Sequence, residues 1–287
     1  MAESIDQAFV QQYQNNIRVL SQQKQSRLEG TTIPPVQMIG EALYWERLGA
    51  TAAMAMTTRH MDTPNIEPDH TRRKATAQPY VWATLLDTFD QVQMLVDPKS
   101  QYAEIMRMAF SRTKDDIIIA ALEGNAYQGK TGTTTVALPS AQKIATGSVG
   151  LTITKLLQAK EILDEAEVDP DMPRYFVVAA AQVTDLLATT EIKSTDYNSV
   201  KALVEGKVDS FMGFKFIRSQ RLTLSSTTRY TYAYAQGAVG FGVRSEIETK
   251  ITQESTKNFA WQIWGKMDMG ATRVEDEAVV QVACTES

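Results

Sequence analysis

The sequence predicts an α+β fold organised around a single long helix, and three stretches carry that prediction. Residues 97–124, DPKSQYAEIMRMAFSRTKDDIIIAALEG, form the longest uninterrupted helix signal in the chain. Near the C-terminus, IETKITQES, NFAWQIWGKMDMGAT and AVVQVAC read as three successive strands, with turns near Glu254 to Lys257 and at Glu275, Asp276 and Glu277. Between residues 31 and 78 no period persists. An irregular excursion of that length usually works outside the body it leaves.

The helix is marked at both ends. Asp97 can accept hydrogen bonds from the free N–H groups of the first turn, Pro98 suits the first helical position, and Gly124 can take the left-handed conformation that closes a helix. A helix over 98–123 makes a rod of about 39 Å at 1.5 Å per residue. Tyr102, Ile105, Met106, Ala109, Thr113, Ile117, Ala120 and Ala121 or Leu122 recur at spacings of three and four, while Arg112 can meet Asp115 and Asp116 on the opposite face. One side should therefore pack along its length, and the nearly all-apolar run 117–122 should be enclosed on more sides than the first half. The three terminal strands need a partner surface, for which the apolar side of the helix is the natural choice.

With 287 residues, 43% hydrophobic and 22% charged, the chain can build two cores or one subdivided body. No run reaches the ~18 to 20 apolar residues of a bilayer span and the N-terminus lacks the apolar core of a signal peptide, so synthesis and residence in cytosol are expected. Cys284 is the only cysteine, which excludes an internal disulfide and a cysteine-based zinc site. Against 34 Asp and Glu there are 29 Lys and Arg, and the net charge of −5 gives no global attraction to DNA or anionic lipid.

Residues 4–28 set Ser4 and Gln7 at capping-box spacing and then place Phe9, Val10, Tyr13, Ile17, Leu20 and Leu28 among glutamines. That stripe is too thin to form a core, so this arm is expected to lie on another part of the subunit or on a neighbour, through Phe9, Tyr13, Ile17 and Leu20. Within the excursion LYWERLG reads as a strand, and TAQPYVWATLL as another leading back to the long helix. His60 and His70 have no cysteine or carboxylate pattern beside them and read as solvated loop residues. Arg59, Arg72, Arg73 and Lys74 form a basic cluster that is expected to meet acidic surface on a neighbouring copy.

Gly124, Gly129, Lys130 and Thr131 in GNAYQGKT satisfy the pattern of a phosphate-cradling P-loop. Its context is wrong. A P-loop needs a strand to deliver the glycine turn and a helix after it to aim N–H groups at phosphate, whereas here a helix precedes and about twenty Thr-, Ser-, Gly- and Pro-rich residues follow. The stretch reads as a helix end running into a flexible or hairpin loop.

After Gly150, TITKLLQAKEILDEAEV reads as a helix with Ile153, Leu156, Leu157 and Leu163 on one face. It ends in Glu161, Asp164, Glu165, Glu167, Asp169 and Asp171, which lack the glycine and alternating ligands of an EF-hand and read as a solvated face. YFVVAAA then reads as a buried strand, AQVTDLLAT as a short helix and TDYNSVKALVEGK as a helix ended by Gly206. FMGFKFIRS follows as a strand with Phe214 and Phe216 on one side. TRYTYAYA places Tyr230, Tyr232 and Tyr234 on one face, as core or interface residues.

Four stretches, in this order, carry a resemblance that spans nearly the whole chain: FVQQYQNNIRVLSQQKQSRL, LVDPKSQYAEIMRMAFSRTKDDIIIAALEG, VKALVEGKVDSFMGFKFIRSQRL, and YAQGAVGFGVRSEIETKITQ to TRVEDEAVVQVAC. Together they resemble the major capsid protein of tailed bacteriophages, the Hong Kong 97 fold. The resemblance implies an N-terminal arm over 1–36, an extended loop over 37–86, a peripheral domain of 87–149 and 245–287 holding the spine helix 98–123, and an axial domain over 150–244. It implies a structural protein without catalysis, self-assembling as hexamers and pentamers into the icosahedral head that encloses phage DNA. It would be assembled in host cytoplasm and reside in the virion.

The implied partners are other copies, separate scaffolding, portal and decoration proteins, and packaged double-stranded DNA touched by weak non-specific contact; no cofactor, metal or membrane is implied. Some relatives carry a cleaved scaffolding segment before the arm. Here Met1 lies almost at the arm, from which a separate scaffold or none is expected. Some relatives crosslink a loop lysine to an asparagine; Lys74 is the only lysine between Thr31 and Pro98, no acceptor is evident, and no crosslink is assigned. The alternatives are an encapsulin-like compartment shell, which is built from the same kind of subunit, and a P-loop nucleotide hydrolase using Lys130 and Thr131. Mild acidity fits a shell, since each Lys or Arg contact to phosphate would slow packaging and ejection.

Overall fold

A computed structural model describes residues 20–59, 61–63, 65–87, 99–188 and 210–286. The long helix, α1, runs Lys99–Glu123, and its expected cap at Asp97 and Pro98 lies outside the described residues. Its far end closes differently from the expectation. Gly124 is not among the residues with positive φ, and its N–H donates to the Ala120 carbonyl at 2.8 Å. Glycine is required there for space, because a Cβ would sit 2.7 Å from the Ala120 oxygen.

The packed face of α1 is turned by about one residue from the expected stripe. Met106, Phe110, Ile118 and Leu122 are at most 3% exposed, whereas Ala109, Thr113 and Ile117 are only partly covered and Ala120 is exposed. Asp115 explains the difference. It is fully buried on this face, at a position that a hydrophobic pattern reads as surface. Nor does Arg112 meet Asp115 or Asp116: its guanidinium donates to Gln22 Oε1 at 2.6 Å, and Asp116 pairs with Arg221.

Strands β1 (Ile33–Gln37), β4 (Gln78–Leu86), β13 (Val239–Glu254) and β14 (Ala260–Arg273) form a sheet in the order β1-β13-β14-β4. β13 and β14 make one long antiparallel hairpin, joined in parallel by β1 and antiparallel by β4. α1 lies across this hairpin. The approach is close, since a Cβ on Gly265 would collide with Met106, and Tyr80 and Trp82 of β4 pack on the same core.

A second sheet, in the order β2-β3-β5-β6, joins β2 (Ala42–Leu48) and β3 (His70–Thr76) to a short hairpin, β5 (Ala126–Gln128) and β6 (Thr134–Val136). It is laid on β13 at Gly240, where any side chain would strike the ring of Trp45.

The third sheet has the order β7-β15-β12-β8-β10-β9, with β7 (Lys143–Ile144), β8 (Arg174–Val178), β9 (Ser210–Phe211), β10 (Phe214–Arg218), β12 (Thr228–Ala235) and β15 (Val279–Thr285); β11 (Leu224–Ser225) pairs with β12. Helices α2 (Ile153–Glu165) and α3 (Ala180–Ala188) supply the other half of its apolar packing. Phe176, Val178, Phe214, Val280, Val282 and Cys284 pack with them, while Val177, Tyr232, Tyr234 and Val279 belong to the α1 core.

The third terminal strand therefore parts from the other two. β15 pairs with β12 and β7, not with the hairpin under α1. Its sequence is apolar on both faces, so it gains most from a position covered on both sides. The expected helix TDYNSVKALVEGK lies outside the described residues, and FMGFKFIRS splits into β9 and β10 at a turn through Met212 and Gly213.

Candidate assembly interface

The β2–β3 hairpin carries an extended loop whose tip is apolar and uncovered. Leu48 is 66%, Met54 63%, Met56 70% and Ile66 40% exposed. Grouped exposed apolar side chains mark an interaction site more often than chance. Arg59 is exposed on the same loop and His70 is exposed at the start of β3; His60 lies outside the described residues.

The root of this loop is held by charge. Alternate residues of β3 face in and out, so Arg73 turns inward and is 2% exposed, while Arg72 and Lys74 stay partly exposed. Arg73 Nη2 and Arg273 Nε each lie 2.5 Å from a different oxygen of Asp276. Arg273 also donates to the carbonyls of Leu122 at 3.3 Å, Gly124 at 2.7 Å and Val136 at 3.1 Å. One guanidinium thus caps the end of α1, ties in β6 and shares its carboxylate with the loop. Burial lowers the Arg73 pKa, opposed by Asp276 and reinforced by Arg47 and Arg273.

This corrects the reading of Arg73 as a contact to a neighbour: the acidic surface that it meets is its own subunit's turn at 275–277. Arg47 reaches the same turn, 3.4 Å from Glu277. Arg72 pairs with Glu46 at 3.0 Å and lies over the Tyr44 ring at 5.7 Å. The stem of Lys74 fills the space beside Gly132.

The arm enters the body through Asp115. Its Oδ1 accepts from Ser26 Oγ at 2.5 Å, Arg27 N–H at 3.0 Å and Leu28 N–H at 3.1 Å, and its Oδ2 from Gln23 Nε2 at 2.5 Å. Lys114 adds an ion pair to Glu29 at 2.7 Å, and Leu28 is fully buried in the α1 core. Beyond this knot Leu20 is 84% exposed. Phe9, Tyr13 and Ile17 lie outside the described residues. Asp115 and Arg273 are the functional residues that sequence reasoning missed, because their partners lie 88 and 149 positions away for the contacts with Arg27 and Gly124.

The phosphate-loop pattern resolves into the β5–β6 hairpin. Gly129 and Gly132 have φ of 102° and 66° in its turn, Lys130 and Thr131 are exposed there, and no helix follows before the strand β6. The acidic cluster is held locally: Asp164 pairs with Arg174 at 2.5 Å, and Asp169 accepts from the Asp171 N–H at 2.9 Å. Among the described residues no group of three or more His, Cys, Asp or Glu is placed to hold a metal.

A rod helix on a long hairpin, residues 22–29 tied to that helix, and a loop with an uncovered apolar tip are the geometry of a subunit suited to packing against others. The family comparison agrees: the chain belongs to the phage capsid protein family, whose model matches residues 5–286. Among solved structures it is similar to the capsid of cyanophage P-SCSP1u, with 15% identity, coverage of 99% of this chain and 95% of that one, and a TM-score of 0.76. It is also similar to the capsid of a native GTA particle, at 12%, 99% and 98%, with a TM-score of 0.74. For the cyanophage Pam1 capsid asymmetric unit the values are 12%, 97% and 97%, with a TM-score of 0.70. Among curated proteins, none matches the sequence. The chain is a structural phage capsid protein, which associates with its own copies in the shell of the phage head.

Proposed function

We propose that shell formation works through the arm, residues 1–36, and the extended loop, residues 37–86, each completing its burial on a neighbouring copy within hexamers and pentamers. The observation that carries this reading is the contrast between the two ends of the loop: a root fixed by Arg73, Asp276 and Arg273, and a tip with Leu48, Met54, Met56 and Ile66 in solvent. Arg59, Arg72 and Lys74 remain the basic residues available to a neighbour, with Phe9, Tyr13, Ile17 and Leu20 of the arm.

The peripheral domain is read as 87–149 with 245–287, and the axial domain as 150–244, with β7 and β15 lent to the axial sheet. Assembly takes place in host cytoplasm with separate scaffolding and portal proteins, and decoration proteins can add to the finished shell. The net charge of −5 supports only weak, non-specific contact with the enclosed DNA.

The test replaces residues 49–69 by a short turn and, separately, removes residues 1–19, leaving the Asp115 knot whole. Both variants should keep the thermal midpoint of the free subunit and lose shells. Normal shells from either would remove that segment from the mechanism.

A further inference from the structure

Two turns beside the third sheet line one cleft, and each holds a side chain where the backbone favours glycine or asparagine. α2 closes through Glu167, whose φ is 53°, with the Val168 N–H donating to the Leu163 carbonyl at 3.2 Å. That is the helix-closing position that glycine usually fills. β9 and β10 are joined through Met212 and Gly213, with φ of 54° and 87°, a two-residue turn whose first position is normally asparagine, aspartate or glycine. Glu167 and Met212 share a cleft of about 580 Å³ with Lys160, Asp164, Val168, Pro170 and Arg174. Backbone strain of this kind gathers at ligand sites.

The cleft also holds an unanswered donor. Arg174 is only 6% exposed. Its Nη1 donates to Asp164 at 2.5 Å and its Nη2 to the Val168 carbonyl at 2.9 Å, but its buried Nε has no acceptor in the protein. A buried donor left unpaired is costly. Because Asp164 already balances the charge of the guanidinium, a neutral oxygen such as a peptide carbonyl is the acceptor that Nε can take.

The rim is acidic at the expense of its own helix. Glu161, Glu165, Glu167, Asp169 and Asp171 are exposed, and they crowd the C-terminal end of α2, where the helix dipole is negative and disfavours carboxylates. Against them the cleft sets Lys160 and the already paired Arg174. Val168, Pro170 and Met212 supply an apolar wall between the charges.

We propose that this cleft binds an extended segment of a separate protein in which an apolar residue is flanked by lysine or arginine. A backbone carbonyl of the segment accepts from Arg174 Nε, the apolar side chain lies against Val168, Pro170 and Met212, and the basic flanks meet the rim carboxylates. Nucleic acid is excluded as the occupant, since its phosphates would be repelled there. A second copy is a poor match as well, because the chain itself carries a net charge of −5. The inference does not depend on how copies of the chain assemble.

The test titrates the unassembled full chain at low salt with three capped pentapeptides, followed by calorimetry. One has leucine at the centre of four lysines, the second has glutamates in place of the lysines, and the third has serine in place of the leucine. The first should bind and weaken as salt is added, the second should not bind, and the third should bind about tenfold more weakly. Glu167→Gly and Met212→Gly each relieve strain and remove one wall, so the thermal midpoint should hold or rise while affinity for the first peptide falls. Photo-leucine at the centre of that peptide should crosslink to residues 160–174 or 212–213, which decides the matter even if a variant proves less stable. No binding of the first peptide, equal binding of the lysine and glutamate peptides, unchanged affinity in both variants, or crosslinks only elsewhere would each overturn the proposal.

Discussion

Replacing Asp115 by alanine should loosen the arm from the body more than any other single change on α1. The carboxylate accepts from four groups, Gln23, Ser26, Arg27 and Leu28, at 2.5 to 3.1 Å. A hydrogen bond to a charged acceptor contributes about 1.5–3 kcal/mol, and a buried donor left without a partner costs about 1–3 kcal/mol. The Leu28 N–H is buried and would be left without a partner, whereas the Gln23, Ser26 and Arg27 donors are only part-buried and water can replace much of their acceptor, so the loss comes to about 3 kcal/mol. At about 2.1 cal/mol/K per residue, a chain of 287 residues has an unfolding entropy near 0.6 kcal/mol/K. The thermal midpoint of the free subunit should then fall by about 5 °C.

Asp115→Asn separates the mechanism from mere loss of charge. An amide oxygen at the Oδ1 position still serves Ser26, Arg27 and Leu28, and the Gln23 side chain can turn its own amide to suit, so the cost should be about 1 kcal/mol. Calorimetry of the unassembled variants, with hydrogen exchange at the Arg27 and Leu28 amides, reads both effects. A midpoint within 1 °C of wild type for Asp115→Ala, or equal losses for the two variants, would refute the reasoning.

Asp276→Ala leaves two buried guanidiniums without their carboxylate and should cost about 3–5 kcal/mol by denaturant unfolding, whereas Arg73→Met leaves Asp276 paired with Arg273 and should stay within about 1.5 kcal/mol. Burial pushes the Cys284 thiol from 9.0 up to about 11, with Lys155 pulling the other way. Its folded pKa is raised, so the stability it contributes is present below pH 9 and lost as pH rises toward 11, and Cys284→Ala should flatten the fall in unfolding free energy between pH 9 and 10. Above pH 10 the buried Tyr232 and Tyr234, also raised by desolvation, act with the same sign. The Arg221 to Asp116 pair is exposed by 37% and 41%, so Arg221→Ala should change stability by less than about 1 kcal/mol. Purified protein should show no ATP or GTP turnover, and Lys130→Ala should change neither that nor assembly.

What could be read from the sequence was local. Residues 99–123 announce a helix through three- and four-residue spacing, and β2, β4, β13 and β14 through alternation and flanking turns. The P-loop pattern could be set aside on its neighbours alone. What could not be read was long-range and polar. Asp115 interrupts the stripe of α1 because its partners arrive from residues 23–28, so the buried face was displaced by about one residue. Arg73 was assigned to a neighbour because nothing local indicates that β3 aims it at Asp276, 203 positions on. The departure of β15 to another sheet follows from apolar character on both faces, a signal present in AVVQVAC but outweighed by its nearness to β14.

The central claim is tested most directly by electron microscopy of the purified recombinant chain, alone and with candidate scaffolding proteins. Closed polyhedral shells, or rings of five and six subunits, are predicted. A discrete monomer or dimer under every one of those conditions would contradict the account.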